Sequence, residues 1–347
     1  MNHISYIGLC SKTEPYHCST LVPTPRGLLL AAYKGKECTD DQRVVVVLSV
    51  PNDPWILGEP LELPGKTGNP VLWEHEGRYW LLYSEFVDRL GRWVPENPVD
   101  RWKSCELWLQ ELSVDTGTIV RVGNPKKISG GLGKLGRCAP HYYQGKLLVP
   151  LYREKDPWCF VYEFVGETLV PYTDFGIVEY GDAVLKSKLG VGGAIQPTLF
   201  TSMKTGKLVA FCRNVAFRCF AAGDAPAWQA TLDPKTHKWN VSAKRDLKNY
   251  SSSLHNINAF GNLFMVADGI PGRTGMKLYC ANRVEIPLGS CLFGLPWKPT
   301  YSYPFMAVDI SNNILYTSLT NCGAILVHMF TKDFIDMTFF KQNKENQ

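Results

Sequence analysis

The chain has no C-x-x-C pair, no run of about 18 apolar residues and no block of five like charges. Each absence removes a class of protein. Without closely spaced cysteines a structural zinc site has no support, and neither a metal nor a cofactor is expected. The eleven cysteines are odd in number and scattered. Cys105, Cys159, Cys212 and Cys280 sit inside apolar runs, which fits free buried thiols in a reducing compartment. Without a long apolar run no helix spans a bilayer, so no membrane role is expected. Without a like-charge block there is no tail for nucleic acid. The first ten residues carry neither a basic stretch nor an apolar one of signal-peptide type, and the expected location is cytoplasmic. Nothing reads as a long amphipathic helix. The net charge of +5 is compatible with an anionic ligand and does not demand one.

What the chain does have is a repeat. Six times a short apolar run ends in a tight turn and resumes. The copies are Gly27-Leu-Leu-Leu-Ala-Ala-Tyr33, Gly77-Arg-Tyr-Trp-Leu-Leu-Tyr83, Gly145-Lys-Leu-Leu-Val-Pro-Leu-Tyr152, Gly206-Lys-Leu-Val-Ala-Phe-Cys-Arg213, Gly261-Asn-Leu-Phe-Met-Val-Ala-Asp268 and Asn313-Ile-Leu-Tyr-Thr-Ser-Leu319. Their turns are 50, 68, 61, 55 and 52 residues apart. Periods near 50 mark repeated supersecondary units. Within a copy, apolar and β-branched runs are broken by turn residues every 8–12 positions, roughly, as antiparallel strands are. Third strands are predicted at Val44–Val50, Cys105–Ser113, Arg218–Ala222, Met276–Ala281 and Ala324–Phe330. Pro23, Pro70, Pro140, Pro197 and Pro304 read as strand starts, where a missing N–H costs little. The expected fold is all-β: a six-bladed β-propeller of four-stranded antiparallel blades, one domain over 1–340 with a polar tail over 341–347. Ile4–Leu9 is expected to close the ring on the last blade, with Phe334–Phe340 as the competing closing strand.

This architecture sorts the polar residues. Loops entering each innermost strand and leaving each second strand share one face, and the Gly turns lie on the other. The entering positions carry His17, Asn69, Arg137, Gln196, His255 and Tyr303. The leaving positions carry Glu37, Arg153, Glu154, Arg213, Asp268 and Arg273. A convergent polar mouth on the axis is the candidate site.

The runs Gly68-Asn-Pro-Val-Leu-Trp73, Ile195-Gln-Pro-Thr-Leu-Phe200, Leu208-Val-Ala-Phe-Cys-Arg-Asn214 and Tyr301-Ser-Tyr-Pro-Phe305 resemble the sialidase-like family of BNR-repeat (Asp-box) propellers. The similarity covers about residues 15–330. The Asp-box itself is eroded: Ser113-Val-Asp115-Thr-Gly117-Thr lacks the Trp, and Asp233 with Trp239 lacks the Gly. The resemblance implies a glycoside hydrolase acting on an anionic sugar, sialic acid or a related sugar acid. Three of Arg137, Arg153, Arg213 and Arg273 would clamp the sugar carboxylate, because a planar guanidinium offers two parallel charge-assisted hydrogen bonds. His17, Asn69, Gln196 and His255 would line the substrate site. Tyr303 would be the nucleophile, since sialidases use a Tyr. Glu154, Glu37, Glu85 and Asp268 are the candidate acid and base. The family's Arg-Ile-Pro opening motif and its early general-acid Asp have no match here.

Two other readings stand beside it. His17, His141 and His255 next to Tyr16, Tyr142 and Tyr303 also suit a propeller polysaccharide lyase, which needs a base and an acid beside a uronate. A non-catalytic propeller that binds an anionic glycan or metabolite is the third. The run Gly130-Gly-Leu-Gly-Lys-Leu-Gly136 reads as an entrance loop, because no helix pattern follows it. Asp88 to Trp102 reads as an insertion that opens onto the same face, and its tryptophans suit stacking on a sugar ring and surface packing equally well.

Overall fold

A computed structural model describes residues 3–37, 39–50, 53–57, 59–87, 104–115, 117–154, 158–177, 194–214, 226–249, 252–268, 275–280, 284–288 and 301–340. The insertion over 88–102, Arg218–Ala222 and the tail over 341–347 lie outside them.

The chain opens with β1 (His3–Leu9). The first blade follows, with β2 (Tyr16–Thr24), β3 (Gly27–Lys34) and β4 (Arg43–Val50), and with β5 (Asp53–Leu57) and β6 (Leu61–Glu62) sharing its outer edge. The second holds β7 (Thr67–His75), β8 (Arg78–Phe86), β9 (Cys105–Asp115) and β10 (Thr118–Lys127). The third holds β11 (Lys134–Gly136) and β12 (His141–Tyr143) on one edge, then β13 (Lys146–Arg153), β14 (Trp158–Val165) and β15 (Thr168–Ile177). The fourth holds β16 (Ala194–Thr201), β17 (Leu208–Asn214), β18 (Pro226–Leu232) and β19 (Trp239–Lys248). The fifth holds β20 (His255–Ala259), β21 (Asn262–Ala267), β22 (Lys277–Cys280) and β23 (Val284–Pro287). The sixth holds β24 (Tyr301–Asp309), β25 (Ile314–Asn321) and β26 (Ala324–Thr331). In each sheet the strands pair antiparallel in chain order, so the structure is a six-bladed β-propeller. The third strand of the fourth blade is β18, later in the chain than the sequence pattern placed it.

The ring closes through β1, the outermost strand of the sixth blade, with His3 opposite Phe330 and Tyr6 opposite Val327. The competing segment is not a strand. Lys332–Ile335 forms a short helix, α1, N-capped by Thr331, and Asp336–Phe340 continues as a π-helical turn. Ile335 and Phe339 pack into the core between the fifth and sixth blades.

Consecutive apolar residues are explained by two-sided burial. In β3 and β4, Leu28, Leu30, Ala32, Val45 and Val47 pack in the core that holds Phe305, Ile325 and Val327 of the sixth blade. The alternate residues, Leu29, Ala31, Tyr33, Val44 and Val46, pack on Leu72, Leu81 and Tyr83 of the second. Side chains alternate across a strand, so a blade with a neighbour on each face needs apolar residues at every position.

Candidate functional site at the propeller axis

Strand register places the entries and exits together. Tyr16 lies opposite Lys34, Thr67 opposite Glu85, Lys134 opposite Arg153, Ile195 opposite Arg213 and Tyr301 opposite Asn321. The Gly turns close the opposite ends of the same hairpins.

The innermost strands are broken at corresponding places. Register slips between His17 and Thr20, Gly68 and Val71, Ile195 and Thr198, and Ser302 and Phe305. A left-handed residue sits in each slip: Cys18 at φ 54°, Asn69 at 48°, Gln196 at 53° and Tyr303 at 54°. These are β-bulges, which re-aim side chains and free backbone groups from the ladder. Pro70, Pro197 and Pro304 follow such a residue inside the strand and do not start it, because the bulge removes the need for a ladder N–H there. Threonines of neighbouring blades accept inner-edge N–H groups, one of them in a bulge: Cys18 donates to Thr320 Oγ1 (3.2 Å), Leu72 to Thr20 Oγ1 (3.2 Å) and Asn256 to Thr198 Oγ1 (3.2 Å).

The third blade goes further. Between β11 and β12, residues 137–140 leave the sheet edge and cross the axis. Arg137 is 1 % exposed. Its Nη1 donates to the Ser19 carbonyl (3.1 Å), its Nη2 to the carbonyls of Pro304 (3.0 Å) and Tyr303, and its Nε to Ser253 Oγ (3.4 Å). Ala139 N–H donates to His255 Nε2 (3.3 Å), and the Cys138 thiol reaches the Leu254 carbonyl (3.7 Å). Blades one, three, five and six therefore meet beneath the mouth.

Tyr303 stands over this crossing, half-buried, its ring centroid 5.5 Å from the Arg137 guanidinium. Its N–H donates to Ser252 Oγ (2.9 Å). Asp268 is fully buried, accepting from Ser252 N–H (2.8 Å) and from Asn249 Nδ2 (2.9 Å). Asn249 in turn accepts the Asn214 N–H at Oδ1 (3.1 Å). The Asp268 carboxylate thus links the exits of the fourth and fifth blades to the Tyr303 backbone. Arg213 Nη1 donates to Gln196 Oε1 (3.3 Å), and Gln196 Nε2 to the hydroxyl of Tyr152 (3.2 Å), which is within electrostatic reach of Tyr303.

The remaining candidates divide. Burial holds the Tyr152 phenol well above its ordinary value, and the charges of Glu154, Cys18 and Tyr303 add to this. Burial pushes the Cys18 thiol up to about 12; Arg137 and Arg213 oppose the rise and Glu37 adds to it. Glu154, Glu37, Arg137, Arg213 and Tyr303 are therefore within electrostatic reach of two adjacent buried groups. Glu154 is half-buried and Glu37 is exposed on the rim. Arg153 turns to the other face of its blade, over Trp158 (5.8 Å) and Phe160 (5.9 Å). Asn69 is buried on its bulge, and His17 lies 5.6 Å from Tyr33, ring to ring. His255 lies below the mouth against Phe305 (4.5 Å), its pKa lowered to about 3 by burial and by Arg137. His141 bonds Thr201 Oγ1 (2.8 Å), and burial lowers its pKa to about 4. Arg273 lies outside the described residues.

Ser252, Ser253, Asn249 and Tyr152 were not singled out by sequence. The x-Pro pairs Asn69-Pro70, Gln196-Pro197 and Tyr303-Pro304 carry the one signal that marks the bulges.

No family model matches the chain, and no curated protein does. Solved structures do. Trypanosoma rangeli sialidase in complex with the inhibitor DANA superposes with a TM-score of 0.65 at 12% identity, over 96% of this chain and 57% of that one. The same sialidase in complex with sialic acid gives 0.57 at 12%, over 93% and 55%. The hemagglutinin-neuraminidase ectodomain of parainfluenza virus 5 gives 0.53 at 10%, over 94% and 83%. The chain spans a little over half the length of the trypanosomal enzyme. At these identities the likeness is one of fold: the chain is a six-bladed β-propeller with the sialidase-like fold.

Proposed function

We propose that the axial mouth binds an anionic sugar, sialic acid or a related sugar acid, and cleaves its glycosidic bond. The observation that carries this reading is Tyr303, held over a buried guanidinium and within electrostatic reach of Tyr152, the end of the Arg213–Gln196–Tyr152 chain. Arg213 meets the sugar carboxylate, joined by Arg273. As the Tyr303 oxygen attacks the anomeric carbon its phenolic proton passes to a carboxylate, the glycosidic bond breaks, and the leaving oxygen takes a proton from a carboxylic acid. Water then attacks the anomeric carbon, giving its proton to the carboxylate left by that acid, and the Tyr303 oxygen leaves and regains its own proton. A phenol is suited to attack beside an anionic sugar, where a carboxylate nucleophile meets repulsion. Glu154 is the favoured proton-transfer group, because Asp268 is committed to Asn249 and Ser252.

The elimination reading loses support from two of its three histidines. A general base works best with a pKa near the working pH, and His255 and His141 lie far below it. The binding reading keeps support from Asp268, whose engagement leaves few carboxylates for chemistry.

Hydrolysis of a fluorogenic sialoside by the wild type and by Tyr303→Phe tests the reading. Turnover is expected to fall roughly 1,000-fold or more in the variant with ligand binding retained. Equal turnover removes Tyr303 as nucleophile. Thermal stabilisation by sialic acid without product in the wild type selects the binding reading, and a new ultraviolet-absorbing double bond selects elimination.

A further inference from the structure

Arg137 is a buried cation whose four hydrogen bonds all go to neutral oxygens. Among the described residues no carboxylate pairs with it. Burying a charge without a counter-ion is costly, so its position calls for a physical reason. The partners supply one. The carbonyls of Ser19, Tyr303 and Pro304 all belong to bulges, where a left-handed residue has broken the ladder. Buried carbonyls without partners are costly too, and one planar guanidinium reaches all three. A lysine ammonium has neither the span nor the fixed fork to do so.

The consequence falls on Tyr303. An aromatic residue at φ 54° is strained and persists only where its surroundings over-determine it. Here they do so from both sides. Ser252 Oγ takes the Tyr303 N–H, and Asp268 in turn holds Ser252. Arg137 takes the Tyr303 carbonyl and the next one, with the ring above it. Four of the five N–H donors of the guanidinium are taken by these carbonyls and the Ser253 hydroxyl, so the fork is held against the protein's own backbone.

We infer that Arg137 is a positioning residue for Tyr303. It fixes the left-handed backbone that aims the phenol into the mouth, and it does not bind the sugar carboxylate. Its importance to turnover rests on the proposed role of Tyr303; the positioning itself does not.

The test uses the full chain labelled with 3-fluorotyrosine. The ¹⁹F resonance of Tyr303 is identified by its absence from Tyr303→Phe. In the wild type a single sharp line is expected. In Arg137→Lys, well below its melting temperature, that line should shift and broaden or split while the other tyrosine lines hold. Phe164→Leu, a core change far from the axis, should lower stability and leave the Tyr303 line alone. An unchanged Tyr303 line in Arg137→Lys overturns the inference; if sialic acid binding is lost at the same time, Arg137 is a direct clamp instead. Should Arg137→Lys fail to fold, Ser253→Ala removes only the Nε partner. Broadening of the Tyr303 line then supports the inference, and an unchanged line overturns it. Failure of the hydrolase reading appears separately, as absent turnover in a wild type whose Tyr303 line still responds to Arg137→Lys.

Discussion

Residue by residue, burial keeps three imidazoles of the propeller neutral. His255 is the clearest case. Burial, with Arg137 beside it, lowers its pKa from the ordinary 6.5 to about 3. Burial brings His141 to about 4, and burial with His3 alongside does the same for His328. In the unfolded chain these imidazoles take a proton near their ordinary pKa; in the fold they resist it. Below pH 6.5 the unfolded state therefore binds more protons, and stability falls as the pH drops toward the folded values. The window between the ordinary values of His and Glu, pH 6.5 to 4.5, belongs to the histidines, because exposed Glu14, lowered to about 2 by Arg43 and Lys34, has its effect below it. Urea midpoints are expected to be level above pH 7, roughly, and to decline through that window. His255→Gln, whose amide oxygen can still accept the Ala139 N–H, should flatten part of the decline; an identical slope in wild type and variant would refute this account. None of it was legible in the sequence, where His255 and His17 look alike as polar residues at strand entries. Which one is buried depends on residues 137–140 crossing the axis, and that crossing leaves no local trace.

Among the elements, the hairpin turns were the most legible. Glu76-Gly77, Gln144-Gly145 and Phe260-Gly261 each have both residues at positive φ, the two-residue turn whose twist matches that of its strands. A Cβ at Gly145 meets no atom within 4 Å, so its requirement is backbone conformation alone. Gly145→Ala is expected to cost about 1 kcal/mol by chemical denaturation. Gly8 is the opposite kind of glycine. A Cβ there lies 2.9 Å from Val327 Cγ2, in the strand that closes the ring. Gly8→Ala should cost about 1–3 kcal/mol by overpacking. A smaller effect at Gly8 than at Gly145 would mean that the closing strand yields easily. The bulges were illegible by comparison. Proline in Asn69-Pro70, Gln196-Pro197 and Tyr303-Pro304 marks three of the four places but reads as a strand start, because proline by itself does not say that the preceding residue turns left-handed. Tertiary contacts, such as those of Arg137 and Ser252 on Tyr303, impose that turn.

Over the whole molecule, closure is the organising event. β1 pairs with β26, Ser19 Oγ donates to Ser318 Oγ (2.9 Å), and Tyr16 N–H donates to the Gly323 carbonyl (2.7 Å). Removing residues 1–9 should leave β26 as an unpaired edge, and such edges invite association. The truncated chain is expected to lose its single cooperative melting transition and to elute as aggregates in size-exclusion chromatography; a monomer with an unchanged transition would show that closure depends on the blade contacts alone. Between Ile4–Leu9 and Phe334–Phe340 as the closing segment, the fold chose the first. From the sequence alone come the number of blades and the face on which strand entries and exits gather. These follow from turn spacing and strand alternation, which are local properties of the chain. What the gathered side chains touch came with the fold. Asp268 became a scaffold carboxylate and Arg137 an axial clasp, while Arg213, Gln196 and Tyr152 joined in one hydrogen-bonded chain. The reason is geometric. On a ring, residues more than a hundred positions apart meet at one axis, and which of them points up to the mouth or down into it is set by the fit of all the blades at once.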